Sequence, residues 1–242
     1  MFHGRKLAVV VPAFNEEAHV AAVIRGCPAF VDHVIVVDDH SNDGTSAAVA
    51  ALGDLRVTLI RHETNRGVGG ALVSGYRQAL SLDVDLVAVM AGDDQMDPAY
   101  LPRLIAPICS GAADFTKGNR FYSWASLRHM PALRAVGTLL LTWATRLATG
   151  LWRLQDSQNG YVAIAGSMLC RINLSALDRG YAVENAMLIE LARLRGHVQD
   201  IPIPARYGAE VSQLRIWRDG MLILALLFRS FIARLAGPRA RG

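Results

Sequence analysis

The first half of the chain alternates two hydrophobic periodicities. Short runs rich in Val, Ile and Leu, apolar at nearly every position, are separated by longer stretches in which apolar residues return every three or four positions. The first pattern marks a strand buried on both faces, and the second marks a helix with one covered face. Strands are therefore expected at 5–11, 33–38, 56–61 and 84–90, and helices near 16–26, 43–52, 67–80 and 98–109. Asp97-Pro98 opens the last helix with a capping side chain followed by a proline, whose missing N–H is not needed at the first helical position. Strands alternating with helices predict a parallel sheet covered by helices, an α/β fold.

The second half has a different texture. Asp114–Arg120, Gly160–Gly166 and His197–Ile203 read as strands around a long apolar helix from Ala132 to Trp152. That helix carries Leu139-Leu140-Leu141 and Trp143 together with Arg134 and Arg146, a composition that suits either a core helix or one lying against lipid. Met221–Phe228 is again apolar throughout and then meets Arg229 and Arg234. A bilayer span needs about 20 apolar residues, so this stretch is expected to dock at an interface rather than cross. The resulting division is one main domain over 1–215 and a C-terminal membrane-interface helix with a basic tail over 216–242.

Composition adds limits more than identity. With 242 residues, 52% hydrophobic and 19% charged, the chain can bury a substantial single core. A net charge of +4 fits an anionic partner without naming one, and nothing in the pattern points to nucleic acid. Cys27, Cys109 and Cys170 are odd in number, widely separated and free of any C-x-x-C pairing, which argues against a disulfide framework and a zinc site. The apolar run after Lys6 is too short for a signal peptide, so a cytosolic location is expected.

In an open parallel sheet, ligands bind beyond the carboxyl ends of the strands. Three of those ends are unusually polar here: Pro12-Ala13-Phe14-Asn15-Glu16-Glu17, Asp38-Asp39-His40-Ser41-Asn42-Asp43-Gly44 and Gly92-Asp93-Asp94-Gln95-Met96-Asp97. Each has an ordinary explanation as turn or cap chemistry. Together they bring carboxylates to one edge, where mutual repulsion calls for a cation or for donors. Mg²⁺ or Mn²⁺ would take oxygen ligands such as those of Asp93 and Gln95, completed by phosphate and water. The stretch Asn65-Arg66-Gly67-Val68-Gly69-Gly70-Ala71 has neither a Gly-Lys-Ser/Thr ending nor the last glycine of a dinucleotide fingerprint. It reads as a loop and helix start whose glycines allow close packing near the site.

These loops, in this order, resemble the family 2 glycosyltransferases of the GT-A fold, particularly the branch of polyprenyl-phosphate sugar synthases. Val9-Val10-Val11-Pro12-Ala13-Phe14-Asn15-Glu16, Val36-Val37-Asp38-Asp39 with its polar continuation, and Gly92–Pro98 carry the likeness. Lys117-Gly118-Asn119-Arg120-Phe121, Asp156–Tyr161 and Arg206–Ser212 extend it, so that it spans roughly 6–215. The resemblance implies a single Rossmann-like, mostly parallel sheet flanked by helices, with interfacial helices in the C-terminal half. It implies that Pro12, Phe14, Glu16, Val37 and Asp39 hold the nucleoside, with Asp39 at the base edge, and that Gly92 lies against the donor. Asp93 and Gln95 would bind Mg²⁺ or Mn²⁺, while Arg120, Arg206 and Arg215 would face phosphates. Asp93, Glu184, Arg120 and Arg206 make up the implied catalytic set.

Two departures bear on chemistry. Ala91 stands where the metal motif usually begins with aspartate, and Ala186 stands where relatives often carry an acidic residue near the acceptor. A hydroxyl acceptor needs a general base, whereas a phosphate monoester is already an anion at neutral pH. Glu184 is either such a base or a charge that favours a helix N-terminus. The expected activity is inverting transfer of a sugar from a nucleoside-diphosphate sugar to a polyprenyl phosphate or other lipid-linked acceptor, at the cytoplasmic face of a membrane. The alternatives are transfer to a hydroxyl of a lipid-linked oligosaccharide or polysaccharide, and a catalytically impaired sugar-nucleotide-binding scaffold.

Overall fold

A computed structural model describes residues 1–122, 130–177, 180–204 and 216–236, apart from the side chains of Leu133 and of 216–219. Its strands are β1 (Leu7–Ala13), β2 (His33–Asp38), β3 (Val57–Arg61), β4 (Leu86–Val89), β5 (Phe115–Asn119), β6 (Val162–Ala165) and β7 (Val198–Pro202). They form one sheet in the order β3-β2-β1-β4-β6-β5-β7. β1 pairs in parallel with β2 and β4, β2 with β3, and β5 with β7, whereas β6 runs antiparallel to both β4 and β5. The mostly parallel α/β sheet expected from the hydrophobic runs is present, with each strand inside or within two residues of its expected range.

The helices are α1 (Val20–Gly26), α2 (Thr45–Ala50), α3 (Gly67–Ser81), α4 (Leu101–Cys109), α5 (Ala132–Thr149), α6 (Gly166–Leu169), α7 (Val183–Arg193) and α8 (Ile216–Leu235). Continuous apolar runs are required because both sheet faces are covered. Along β1, Leu7, Val9, Val11 and Ala13 join one core with α1 and α4, while Ala8 and Val10 join the other with α3 and α7. α3 lies close enough to the sheet that a Cβ on Gly75 would fall 2.3 Å from Val10 Cγ1.

Two helix starts differ from expectation. The first helix begins at Val20 rather than 16, because residues 15–17 are drawn into contacts with the loop after β2. Asp97 caps as expected, its carboxylate accepting from Ala99 N at 2.9 Å, but the turn it opens is a 3₁₀ turn, Pro98–Tyr100, that precedes α4. The long apolar helix ends at Thr149, where Gly150 takes the left-handed conformation (φ 80°) that closes a helix at little cost for glycine.

α5 is amphipathic in the inverse sense. Thr138, Thr142, Thr145 and Ala148 face inward, while Val136, Leu139, Leu140, Trp143 and Leu147 are exposed. The inward threonines are bonded: Thr145 Oγ1 donates to Leu141 O at 2.7 Å and accepts from Asn185 Nδ2 at 2.8 Å, and Thr142 Oγ1 accepts from Ser157 N at 3.1 Å. α8 packs beside α5 through Ile223 and Leu227 and leaves Met221, Leu222, Leu224, Phe228 and Ile232 exposed. No helix among the described residues is long and apolar enough to cross a membrane.

Candidate active site

The parallel ladder carries the ends of β1, β2 and β4 to one edge, and the loops that follow are stitched together. Asn15 N donates to Ser41 Oγ, Glu16 N to Thr45 Oγ1 and Glu17 N to Asp43 Oδ2, at 2.9–3.1 Å. In return, Asn42 N donates to Asn15 Oδ1 and Gly44 N to Glu17 Oε2. Each of the three loops holds one non-glycine residue at positive φ: Asn15 at 58°, His40 at 66° and Asp94 at 57°. Residues held in this region cluster at functional sites, and Asn, Asp and His tolerate it better than most.

Of the two ways expected to relieve the repulsion of these acids, a cation or donors, local donors serve Asp38, Asp39 and Asp43. Asp38 is fully buried. Burial by itself would raise its carboxyl, but bonds from Ser41 and Ser46 and the nearby Arg61 guanidinium outweigh this and hold it below the usual carboxylate range. Asp43 is likewise held low against burial by Thr45 and by backbone N–H groups, including that of Glu17. Asp39, also buried, has one oxygen fixed: Oδ1 lies 2.6 Å from His62 Nδ1 and accepts from Arg66 N at 2.8 Å. His62 Nε2 lies 2.9 Å from Ser74 Oγ. The glycine-rich loop thus contributes a backbone N–H that grips Asp39. His62 is a residue that the sequence reading missed, and its only signal was its place directly after β3.

Of the other nucleoside candidates, Pro12, Phe14 and Glu16 are half-buried at the end of β1, whereas the Val37 side chain lies wholly within the core and brings to the edge only its backbone. Gly92 closes tightly on β1: its N–H donates to Pro12 O, and a Cβ there would meet that same oxygen at 3.2 Å. Asp93 and Gln95 follow, both half-buried, with Gln95 N donating to Asp93 Oδ1 at 3.1 Å. Among the described residues, no group of three or more His, Cys, Asp or Glu could hold a metal ion. Asp93 and Gln95 offer a carboxylate and an amide oxygen, the donor type that Mg²⁺ or Mn²⁺ takes when diphosphate oxygens and water complete the set.

Arg120 is held by the loop before β6. Its Nε and Nη2 donate to the two oxygens of the fully buried Asp156 at 2.7 and 2.9 Å, a bidentate pair. Glu184 sits in the first turn of α7, where a carboxylate favours the helix dipole, and it also lines a cavity of about 110 Å³. Apolar side chains dominate that cavity, among them Leu72, Ala91, Phe115 and Val162, with Lys117 as its cation. Burial raises the Glu184 carboxyl, with Lys117 opposing, and burial lowers the Lys117 ammonium, with Glu184 and Asp156 opposing. Lys117, whose Nζ donates to Asn159 O, stands in a quoted motif without a role; a lysine in the middle of an expected strand is its signal. Arg206 and Arg215 lie outside the described residues.

The family model for glycosyl transferase family 2 matches residues 8–174. UDP-N-acetylglucosamine–dolichyl-phosphate N-acetylglucosaminyltransferase of Methanococcus voltae is 28% identical over 214 residues, covering 82% of this chain and 85% of that protein. Undecaprenyl-phosphate mannosyltransferase of Micrococcus luteus is 30% identical over 207 residues, covering 82% of each. Among solved structures, glucosyl-3-phosphoglycerate synthase from Mycobacterium tuberculosis, in complex with Mn²⁺, UDP and phosphoglyceric acid, aligns with a TM-score of 0.69 at 20% identity, covering 98% of this chain and 81% of that one. The strand order, the polar loops at the ends of β1, β2 and β4, and a family match that begins in β1 and runs past β6 lead to one conclusion: this chain is a glycosyltransferase of the GT-A fold and belongs to glycosyltransferase family 2.

Proposed function

We propose that the enzyme transfers a sugar, with inversion, from a nucleoside-diphosphate sugar to a polyprenyl phosphate at the cytoplasmic face of a membrane. The observation that carries this reading is the inverse amphipathicity of α5. Its exposed Leu139, Leu140 and Trp143, beside Phe228 of α8, form an apolar face that suits a lipid surface, while its buried threonines bond to the Ser157 loop and to α7 at the site. The two lipid-phosphate-named relatives agree with this reading.

In this mechanism a phosphate oxygen of the acceptor attacks the anomeric carbon from the face opposite the leaving group. The bond from that carbon to the diphosphate oxygen breaks, and the nucleoside diphosphate departs with the electron pair. No proton has to be removed from the acceptor. Pro12, Phe14, Glu16 and Asp39 hold the nucleoside, and Gly92 admits the diphosphate close to β1. Asp93 and Gln95 would hold Mg²⁺ or Mn²⁺, which supplies neutralisation of the leaving diphosphate. Arg120, oriented by Asp156, and Arg206 and Arg215 contribute positive charge toward the phosphates.

A second reading, a hydroxyl acceptor with Glu184 as base, is favoured by the placement of that carboxyl in the cavity and by its raised pKa. One experiment separates them. Purified protein is expected to release nucleoside diphosphate only when polyprenyl phosphate and a divalent cation are both present. Release driven instead by a hydroxyl acceptor favours the second reading, and unchanged turnover in Asp93→Ala overturns the metal assignment.

A further inference from the structure

Asp39 is an unusual carboxylate. Its side chain is 4% exposed, at the edge where three loops converge, yet hydrogen bonding among the described residues involves only one of its two oxygens. A carboxylate oxygen has two lone-pair positions, and both positions on Oδ1 are taken. His62 Nδ1 must carry the hydrogen in its 2.6 Å contact, because a carboxylate can only accept; Nε2 pairs with the Ser74 hydroxyl, which can serve as donor or acceptor. Arg66 N, at the start of α3, supplies the second donor. Oδ2 accepts no hydrogen bond from any described residue and is the one acceptor the group still offers.

The imidazole and the backbone also fix the orientation of the carboxylate. His62 N donates to Asp38 O and Asp39 N to Ala13 O, so both residues are anchored by continuation of the sheet ladder. Rotation of the carboxylate to present both oxygens outward would break two bonds and strand the His62–Ser74 pair.

Resting on the reading that Asp39 meets the donor's base, we infer that the enzyme uses a donor whose base is a 2,4-dioxopyrimidine, uracil or thymine, and that His62 is the positioning residue that enforces this choice. The edge of such a base presents a single N–H, at N3, between two carbonyls, and one N–H matches one open oxygen. Guanine presents adjacent donors at N1 and N2, which call for both oxygens of a carboxylate. Cytosine presents an acceptor at N3, the position that must donate. A site built to satisfy a particular hydrogen-bonding edge rejects the wrong one strongly, because a buried polar group is then left unpaired.

The test is calorimetric titration of the full chain, in Mn²⁺, with UDP, dTDP, GDP and CDP. UDP or dTDP is expected to bind more tightly than GDP and CDP by about tenfold or more. GDP or CDP binding equally or better overturns the inference while leaving the transferase reading intact; binding of none of the four overturns the donor-site reading and the inference with it. His62→Ala is expected to weaken UDP binding and bring the UDP-to-GDP ratio toward one. His62→Asn, whose amide nitrogen can replace Nδ1, is expected to restore the ratio. A purely structural role for His62 would lower the melting temperature of both variants without moving that ratio, and that result overturns its assignment as the positioning residue.

Discussion

At the scale of single residues, the molecule places most of its acids against donors and leaves a few exposed to different demands. Asp200, in β7, is the clearest contrast to Asp38. Its Oδ2 accepts from Gln155 N at 2.5 Å, but its Oδ1 is buried without a partner among the described residues, and burial pushes its carboxyl up to about 6. A carboxyl whose pKa is raised in the folded state holds its proton more tightly there than in the unfolded chain. Its contribution to stability is therefore greatest in acid and falls as pH rises through the folded pKa. Asp200→Asn cannot ionise and removes that dependence. The melting temperature of the variant minus that of the wild type should rise from about pH 4 to about pH 7 and level off above. A constant difference across that range would show that Asp200 does not titrate as its surroundings require.

At the scale of elements, close approach and exposure decide what each helix tolerates. Gly75 and Gly137 both lie inside helices and both replace a better helix former, a cost of about 1 kcal/mol relative to alanine. Around Gly137 there is nothing within 4 Å of an added Cβ, so Gly137→Ala should stabilise by up to about 1 kcal/mol. At Gly75 the same atom would fall 2.3 Å from a methyl group of Val10 in the central strand, and overpacking outweighs the helix gain. Gly75→Ala should destabilise by about 1–3 kcal/mol in denaturant titration. The strands were legible because a doubly covered sheet demands unbroken apolar runs. The start of α1 was not, because the residues before it bond to Ser41, Asp43 and Thr45, 26 to 29 positions away, and no local pattern reports such partners.

At the scale of the whole molecule, one end of the sheet carries the three polar loops, while α5 and α8 expose apolar side chains. Each large apolar side chain taken from water contributes about 1.5–3 kcal/mol. Replacing Leu140 and Phe228 together with Glu should therefore lower partition onto phosphatidylglycerol-containing vesicles by about a hundredfold or more in a sedimentation assay. Nucleotide binding should be unchanged. Retained partition would mean that this face meets something other than lipid.

The sequence by itself determined the seven strands, the α/β class, the three polar loop ends and the family, because each is written in local periodicity or in short contiguous motifs. It could not say which carboxylates remain open. Asp38, Asp39, Asp43 and Asp93 look alike in the chain, and their roles separate only when donors from other elements arrive: Ser46 and Arg61 for Asp38, His62 and Arg66 for Asp39. Nor could it choose between a core helix and a lipid-facing one for 132–149, since the composition suits both. Tertiary packing excluded the core helix, turning the threonines inward to hydrogen-bonding partners on α7 and the Ser157 loop and leaving leucines and Trp143 exposed. Hydrogen-bond satisfaction and burial are properties of pairs brought together by the fold, and a sequence pattern records only one member of each pair.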